Sequence, residues 1–164
     1  MSHTLRTMFF IVIFAGLMSL QYNLDSDRTS TRQIKNALEL ATHDAALALD
    51  ESQLSQGRIV FDQERALDNL RDSLNANLKL ESAAGYLYSP NTNSFYQEDI
   101  VLEHIEFVDD SNSSFPTQYS NLDYDILDTL NGPSVIAVLS TRSPRYFAGS
   151  GIIIRKAVVY EYVQ

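Results

Sequence analysis

Hydrophobic residues fall along this chain in three successive patterns. The first is an unbroken apolar run, Met8 to Leu20, thirteen residues without a charge. The second is helical spacing. With Ile34 at 0° and an advance of about 100° per residue, Leu38, Ala41, Ala45, Ala48 and Leu49 fall within about 60° of it. Ala37, Leu40 and Leu47 extend that arc on one side, and Lys35, Glu39, Thr42, His43 and Asp50 fill the other. No Gly or Pro interrupts Thr31 to Asp50, so one helix is predicted to run from the apolar segment through this amphipathic stretch, to be broken at Gly57. Arg58 to Phe61 is short and β-branched and predicts a brief strand. Asp62 is a good N-cap, and Ala66, Leu67, Leu70, Leu74 and Leu78 at 3.6 spacing predict a second amphipathic helix over about Gln63 to Leu80.

After Glu81 the pattern turns to strands. Ala84 to Tyr88 is predicted as one, closed by the loop signal Ser89 to Ser94. Asp99 to Val108 sets Ile105 and Phe107 against His104 and Glu106, the alternation of a half-exposed strand. Asp109 to Ser114 is a polar loop. Leu122 to Leu130 and Ser134 to Thr141 flank Asn131-Gly132-Pro133, a tight-turn signal. Val135 to Leu139 is apolar on both faces and predicts a central strand, and Ile152 to Val163 predicts the last one. The expected class is α+β: an N-terminal membrane helix continuing into a long amphipathic helix, a second amphipathic helix, and a C-terminal antiparallel β-sheet. Expected boundaries are a cytoplasmic tip and anchor over 1–23, an extracytoplasmic helix over 24–56, and an α+β domain over 57–164 packing with that helix as one unit. No second membrane segment, internal repeat or linker is expected.

The apolar run admits three readings. A cleaved signal peptide has the right length and a basic flank in Arg6, but no small-x-small cleavage site follows Leu20. A buried core helix suits so short a run, though a position beside Arg6 at the N-terminus disfavours it. A retained single-pass anchor is preferred: with Leu5 and Gln21 to Asn23 included, the run reaches about the lower limit of 17 residues for a span. Phe9, Phe10, Ile11, Val12, Ile13, Phe14, Leu17 and Leu20 would face lipid. Arg6 and His3 before it, and Asp25 and Asp27 after it, place the N-terminus in the cytoplasm by the positive-inside rule. Gly16 and Ser19, three apart, suit close helix approach, although small residues are also ordinary helix composition. In the amphipathic stretch, Ile34, Leu38, Ala41 and Ala45 are the expected packing residues.

Charge narrows the partners. A net charge of −9 with no basic patch excludes nucleic acid and a peripheral hold on anionic lipids, leaving the bilayer core and other proteins. The chain has no cysteine, hence no disulfide and no cysteine-ligated zinc.

Candidate chemistry is sparse. Asp44 falls inside the apolar arc, where a charge is costly unless paired. Arg142, Arg145, Arg155 and Lys156 are the cations of the C-terminal region, and an Asp44–Arg155 ion pair is the candidate. The alternatives are a carboxylate reaching solvent or a Tyr hydroxyl at the helix edge, or a catalytic acid. His43 near Glu39, Asp50 and Glu51, and His104 with Glu103 and Glu106, can be drawn as metal sites, but a single His among scattered acids belongs ordinarily to a solvated face. There is no Ser-x-x-Lys, Gly-x-Ser-x-Gly or P-loop, and Gly149-Ser-Gly151 alone does not make a phosphate cradle. No catalytic residue, cofactor or metal is therefore expected. Eight tyrosines from Tyr86 to Tyr162 predict sheet-face and edge packing, with some available for protein contacts.

This layout resembles that of type IV pilins and pseudopilins. Arg32-Gln-Ile-Lys-Asn-Ala-Leu-Glu-Leu-Ala-Thr-His-Asp-Ala-Ala-Leu-Ala48 resembles the Ala-rich helix after the anchor in TadE/TadG-like proteins of tight-adherence (Tad) pilus systems. Asn131-Gly-Pro-Ser-Val-Ile-Ala-Val138 and Ala157-Val-Val-Tyr160 look like segments of exported proteins in Gram-positive clusters of this kind. No Gly-Phe-type prepilin cleavage site precedes Phe9 and no glutamate interrupts the apolar segment, so the resemblance implies a minor or accessory component rather than a processed major pilin. The implied function is a membrane-anchored, non-enzymatic structural or assembly subunit, partnered by the lipid bilayer and by other membrane or pilus subunits, its own copies included. The alternatives are an extracytoplasmic sensor or ligand-binding module acting through a partner protein, and a hydrolase whose carboxylates converge only in the fold.

Overall fold

A computed structural model describes residues 3–81 and 85–162; Ala84, at the start of one predicted strand, and Val163, at the end of another, lie outside the described residues. Helix α1 runs from His3 to Ala46 as one 44-residue element, about 66 Å long at 1.5 Å per residue. Its apolar half projects free of the rest of the chain, and its second half is built into a three-layered domain.

Helix α1 stops short of the predicted end. Asp50 competes for the chain: its carboxylate accepts from the Ser52 and Gln53 amides at 2.8 and 3.2 Å and N-caps a separate turn, α2 (Glu51–Leu54). The Ser52 hydroxyl, which donates to the same carboxylate, and those two amide bonds hold the Asp50 carboxyl below its ordinary range. Ala48 and Leu49 are buried as expected, but in the turn beyond the helix, and Leu40 and Leu47, at the edge of the apolar arc, are exposed. Gly57 then turns the chain at φ 76°.

Arg58 to Phe61 makes one antiparallel bridge, Leu49 to Phe61, rather than a strand. Two Asp side chains take the place of a neighbouring strand. Asp109 accepts from the Phe61 amide at 3.0 Å and Asp110 from the Ile59 amide at 2.7 Å. The buried Asp109 also accepts from the Ser111 amide and hydroxyl, so its desolvation is offset. Helix α3 (Gln63–Leu78) begins where Asp62 accepts from the Arg65 amide and ends at Lys79, whose left-handed backbone closes on the Asn75 carbonyl.

The main sheet contains β1 (Leu87–Tyr88), β2 (Ile100–Val108), β5 (Ser134–Arg142) and β6 (Ile153–Glu161), in the order β1-β2-β5-β6 and antiparallel throughout. Strands β3 (Thr117–Asn121) and β4 (Ile126–Leu130) form a separate hairpin. The Asn131-Gly132-Pro133 turn therefore joins strands that do not pair: it carries the chain from the hairpin into the main sheet. Strand β5 is buried along nearly its whole length because both of its faces are covered. Val135, Ala137 and Leu139 share a core with Ile34, Leu38, Ala41 and Ala45 of α1 and Leu70 and Leu74 of α3. On the opposite face Ile136 and Val138 meet Ile126 and Leu130 of the hairpin. The layers are thus helices, sheet, hairpin.

Candidate functional site

The free half of α1 is the most distinctive surface of the molecule. From Phe9 to Leu20 its Phe, Ile, Val and Leu side chains are exposed, from 42% at Ile13 to 70% at Val12, and Met18 is half-buried. Among the described residues this is the one helix long and apolar enough to cross a membrane. Ser19 Oγ donates to the Ala15 carbonyl at 2.9 Å, satisfying its hydroxyl within the helix, and a side chain added at Gly16 would meet open space.

Where the apolar half ends, the β5–β6 loop (residues 143–152) straps the domain to α1. Arg145 donates to both oxygens of Asp27, Nη1 to Oδ1 at 2.6 Å and Nη2 to Oδ2 at 3.0 Å. The Ser143 hydroxyl donates to the same carboxylate at 2.5 Å, and Ser26 Oγ donates to the Pro144 carbonyl at 2.8 Å. Both charged side chains are mostly shielded, Asp27 17% and Arg145 14% exposed. The base of the loop is tight enough to require glycine: a Cβ on Gly151 would collide with the backbone carbonyl of Ser143. One turn further along α1, the Ser30 carbonyl accepts from Tyr96 Oη at 3.0 Å, and burial pushes that phenol well above its ordinary range.

The Arg145 hydrogen bonds, opposed in part by burial and assisted by Ser143, lower the Asp27 pKa from 3.8. A lowered folded-state pKa gives stability that is fully present above the unfolded value, near 4, and is lost as pH falls through the folded one. Asp27→Asn is expected to cost about 2 kcal/mol at neutral pH, because the amide cannot accept the two-pronged guanidinium bond. It is also expected to flatten part of the loss of stability below pH ~4. Urea midpoints of the two proteins across pH 3 to 7 check both expectations; parallel curves contradict the strap.

The candidate Asp44–Arg155 pair does not form. Asp44 contacts its neighbour His43, Oδ1 to Nδ1 at 3.1 Å, at the half-exposed edge of the helix, and Arg155 pairs with Glu103 at 2.7 Å. Strand β6 runs beside α1 so that His43 meets the Tyr160 ring at 5.3 Å. Arg155, five residues earlier, lies about 16 Å back along the strand and points to the opposite face. The cation that does reach α1 is Arg145, and its acceptor lies seventeen positions before Asp44.

On the outer face His104, Glu106 and Tyr119 form one hydrogen-bonded group. Tyr119 Oη donates to Glu106 at 2.6 Å, and His104 Nε2 lies 3.2 Å from both partners. Burial, then the Glu106 carboxylate, pushes the Tyr119 hydroxyl up to about 12, so it is a donor at neutral pH. Tyr124 stacks on His104 and lies under Arg155. These contacts fasten the β3–β4 hairpin to the sheet. Among the described residues no three His, Asp or Glu side chains converge to hold a metal. Of the tyrosines, Tyr88 and Tyr96 are buried in the core and Tyr86 and Tyr146 are exposed.

These features define an α+β domain carried on a long helix whose free N-terminal half has the length and apolarity of a single membrane span. No family model matches the chain, and no curated protein or solved structure matches it either.

Proposed function

We propose that this protein is a membrane-anchored, non-enzymatic structural or assembly subunit of a pilus or secretion apparatus, similar in plan to a minor pilin or pseudopilin. The observation that carries this reading is the continuity of α1: one helix supplies an apolar span and, without a break, the spine of the domain core. A flexible tether would leave the domain free to tumble above its anchor. A continuous helix held by the Asp27–Arg145 strap transmits the position of the span to the domain, which ordered assembly requires. The apolar half of α1 lies in the bilayer, the N-terminus is cytoplasmic, and the domain stands outside. Laterally the span packs on neighbouring helices, with Gly16 and Ser19 on its surface, and the domain offers its sheet layers to partners.

A photo-crosslinking residue at Leu17, in the native host, tests this. The expected result is covalent capture of a neighbouring membrane subunit or of a second copy. A protein that is strictly monomeric in mild detergent and captures no neighbour contradicts it.

A further inference from the structure

The tip of the β5–β6 loop carries two exposed aromatic side chains, Tyr146 (58% exposed) and Phe147 (45%), beside α1. The Phe147 ring packs against Tyr22 of α1 with centroids 5.9 Å apart. Asn23 Nδ2 donates to the Ala148 carbonyl at 3.4 Å. Below the tip, Arg145 and Pro144 are held by Asp27 and Ser26. Four positions on α1, the adjacent pairs Tyr22–Asn23 and Ser26–Asp27 one turn apart, therefore fix the height of the loop along the helix.

That height is informative. Thr7 to Leu24, bounded by Arg6 and Asp25, carries no charge. At 1.5 Å per residue these eighteen positions span about 27 Å, close to the roughly 30 Å thickness of a bilayer's hydrocarbon. With the span in the membrane, Tyr22 to Leu24 lie at its outer boundary, and a loop fixed to those residues lies there too.

We propose that the β5–β6 loop is a membrane-interface collar: Tyr146 and Phe147, with Tyr22 and Leu24, insert at the boundary between headgroups and acyl chains and set how the domain stands on the bilayer. The inference rests on the reading of α1 as a membrane span. The occupant is lipid because the patch is continuous with the apolar surface of the span and begins within its last turn. Its hold is apolar. The protein's net charge of −9 gives no attraction to anionic headgroups, and the nearest loop cation, Arg145, is neutralised by Asp27. Aromatic side chains at the edge of a span have this preference for the interface.

The chain contains no tryptophan, so one introduced residue reports alone. Three full-length variants, Phe147→Trp, Phe14→Trp and Leu47→Trp, are reconstituted in phosphatidylcholine vesicles containing lipids brominated either near the headgroup or near the chain terminus. Leu47 lies just past the far end of α1, and Phe14 in the middle of the uncharged run. The collar predicts blue-shifted emission from Trp at 147, quenched most by the shallow bromines and unaffected by salt. Trp at 14 is quenched most by the deep bromines, and Trp at 47 by neither. If position 147 is as unquenched as position 47 while position 14 is quenched, the collar is wrong and the span stands. Blue-shifted but unquenched emission at 147 means that protein, such as a second copy, covers the loop, which also overturns the proposal. Failure of quenching at position 14 removes the span and the collar together.

Discussion

Replacing Phe14 and Leu17 together with arginine is expected to shift this protein from the membrane fraction to the soluble fraction while leaving its domain folded. The nine Phe, Ile, Val and Leu residues between Thr7 and Leu24 each favour insertion by roughly 0.3–0.6 kcal/mol, about 4 kcal/mol in all. Each arginine near the middle of the span opposes it by about 2.5–3.5 kcal/mol, and two apolar contributions disappear as well, so the balance reverses. Neither side chain takes part in the domain core, which begins along α1 at the buried Ser26. Circular dichroism and the thermal transition of the released protein should therefore report an intact α+β fold. A doubly substituted protein that still resists carbonate extraction contradicts the assignment of the anchor, as does a Phe14→Leu, Leu17→Ile control that leaves the membrane.

The second large effect belongs to the other half of the same helix. Leu38→Ala is expected to destabilise the domain by about 2–5 kcal/mol, because Leu38 is fully buried where α1, α3 and β5 meet. That is a large share of the roughly 5–15 kcal/mol that holds an ordinary domain folded. Leu38→Met, nearly equal in volume, should cost less than about 1.5 kcal/mol. Leu40→Ala, on the exposed side of the helix, should stay within about 0.5 kcal/mol. Urea unfolding of the full-length protein in detergent orders the three. An equal loss from Leu38→Ala and Leu40→Ala contradicts the docking face.

What was legible in the sequence depended on whether apolarity carried the signal. Ile34, Leu38, Ala41 and Ala45 lie on the docked face because a period of 3.6 leaves them one place to go. Val135 to Leu139 had to be central because an apolar residue at every position needs cover on both faces. The docked stripe, however, starts two turns earlier, at Ser26 and Ser30, where small size rather than apolarity permits close approach. Their hydroxyls bond to backbone carbonyls, so burial leaves them satisfied, and no hydropathy pattern reveals such residues.

The same limit explains the mistaken ion pair. Asp44 drew attention because it interrupts an apolar arc, while Asp27 passed as an ordinary flanking charge after the span. Which of four downstream cations reaches α1 depends on the direction and parity of β6, and both are tertiary facts. The Asp109–Asp110 pair was equally hidden. Its composition reads as a polar loop, yet its carboxylates accept from the backbone of Ile59 and Phe61, in a segment whose β-branched residues predict a strand. The Asn131-Gly132-Pro133 turn was visible as a turn, but local sequence does not state whether the flanking strands pair, and here each finds other partners.

The proposed function requires that α1 cross the membrane once and hold the domain outside. Because the natural chain lacks cysteine, His3→Cys and Glu64→Cys variants each carry one thiol and can be labelled on intact cells with a membrane-impermeant maleimide. The prediction is that Cys at position 64 is labelled directly, and Cys at position 3 only after the membrane is permeabilised, with its label retained on the mature protein. Labelling of both positions on intact cells, or of position 3 alone, would contradict the topology on which the proposed function stands.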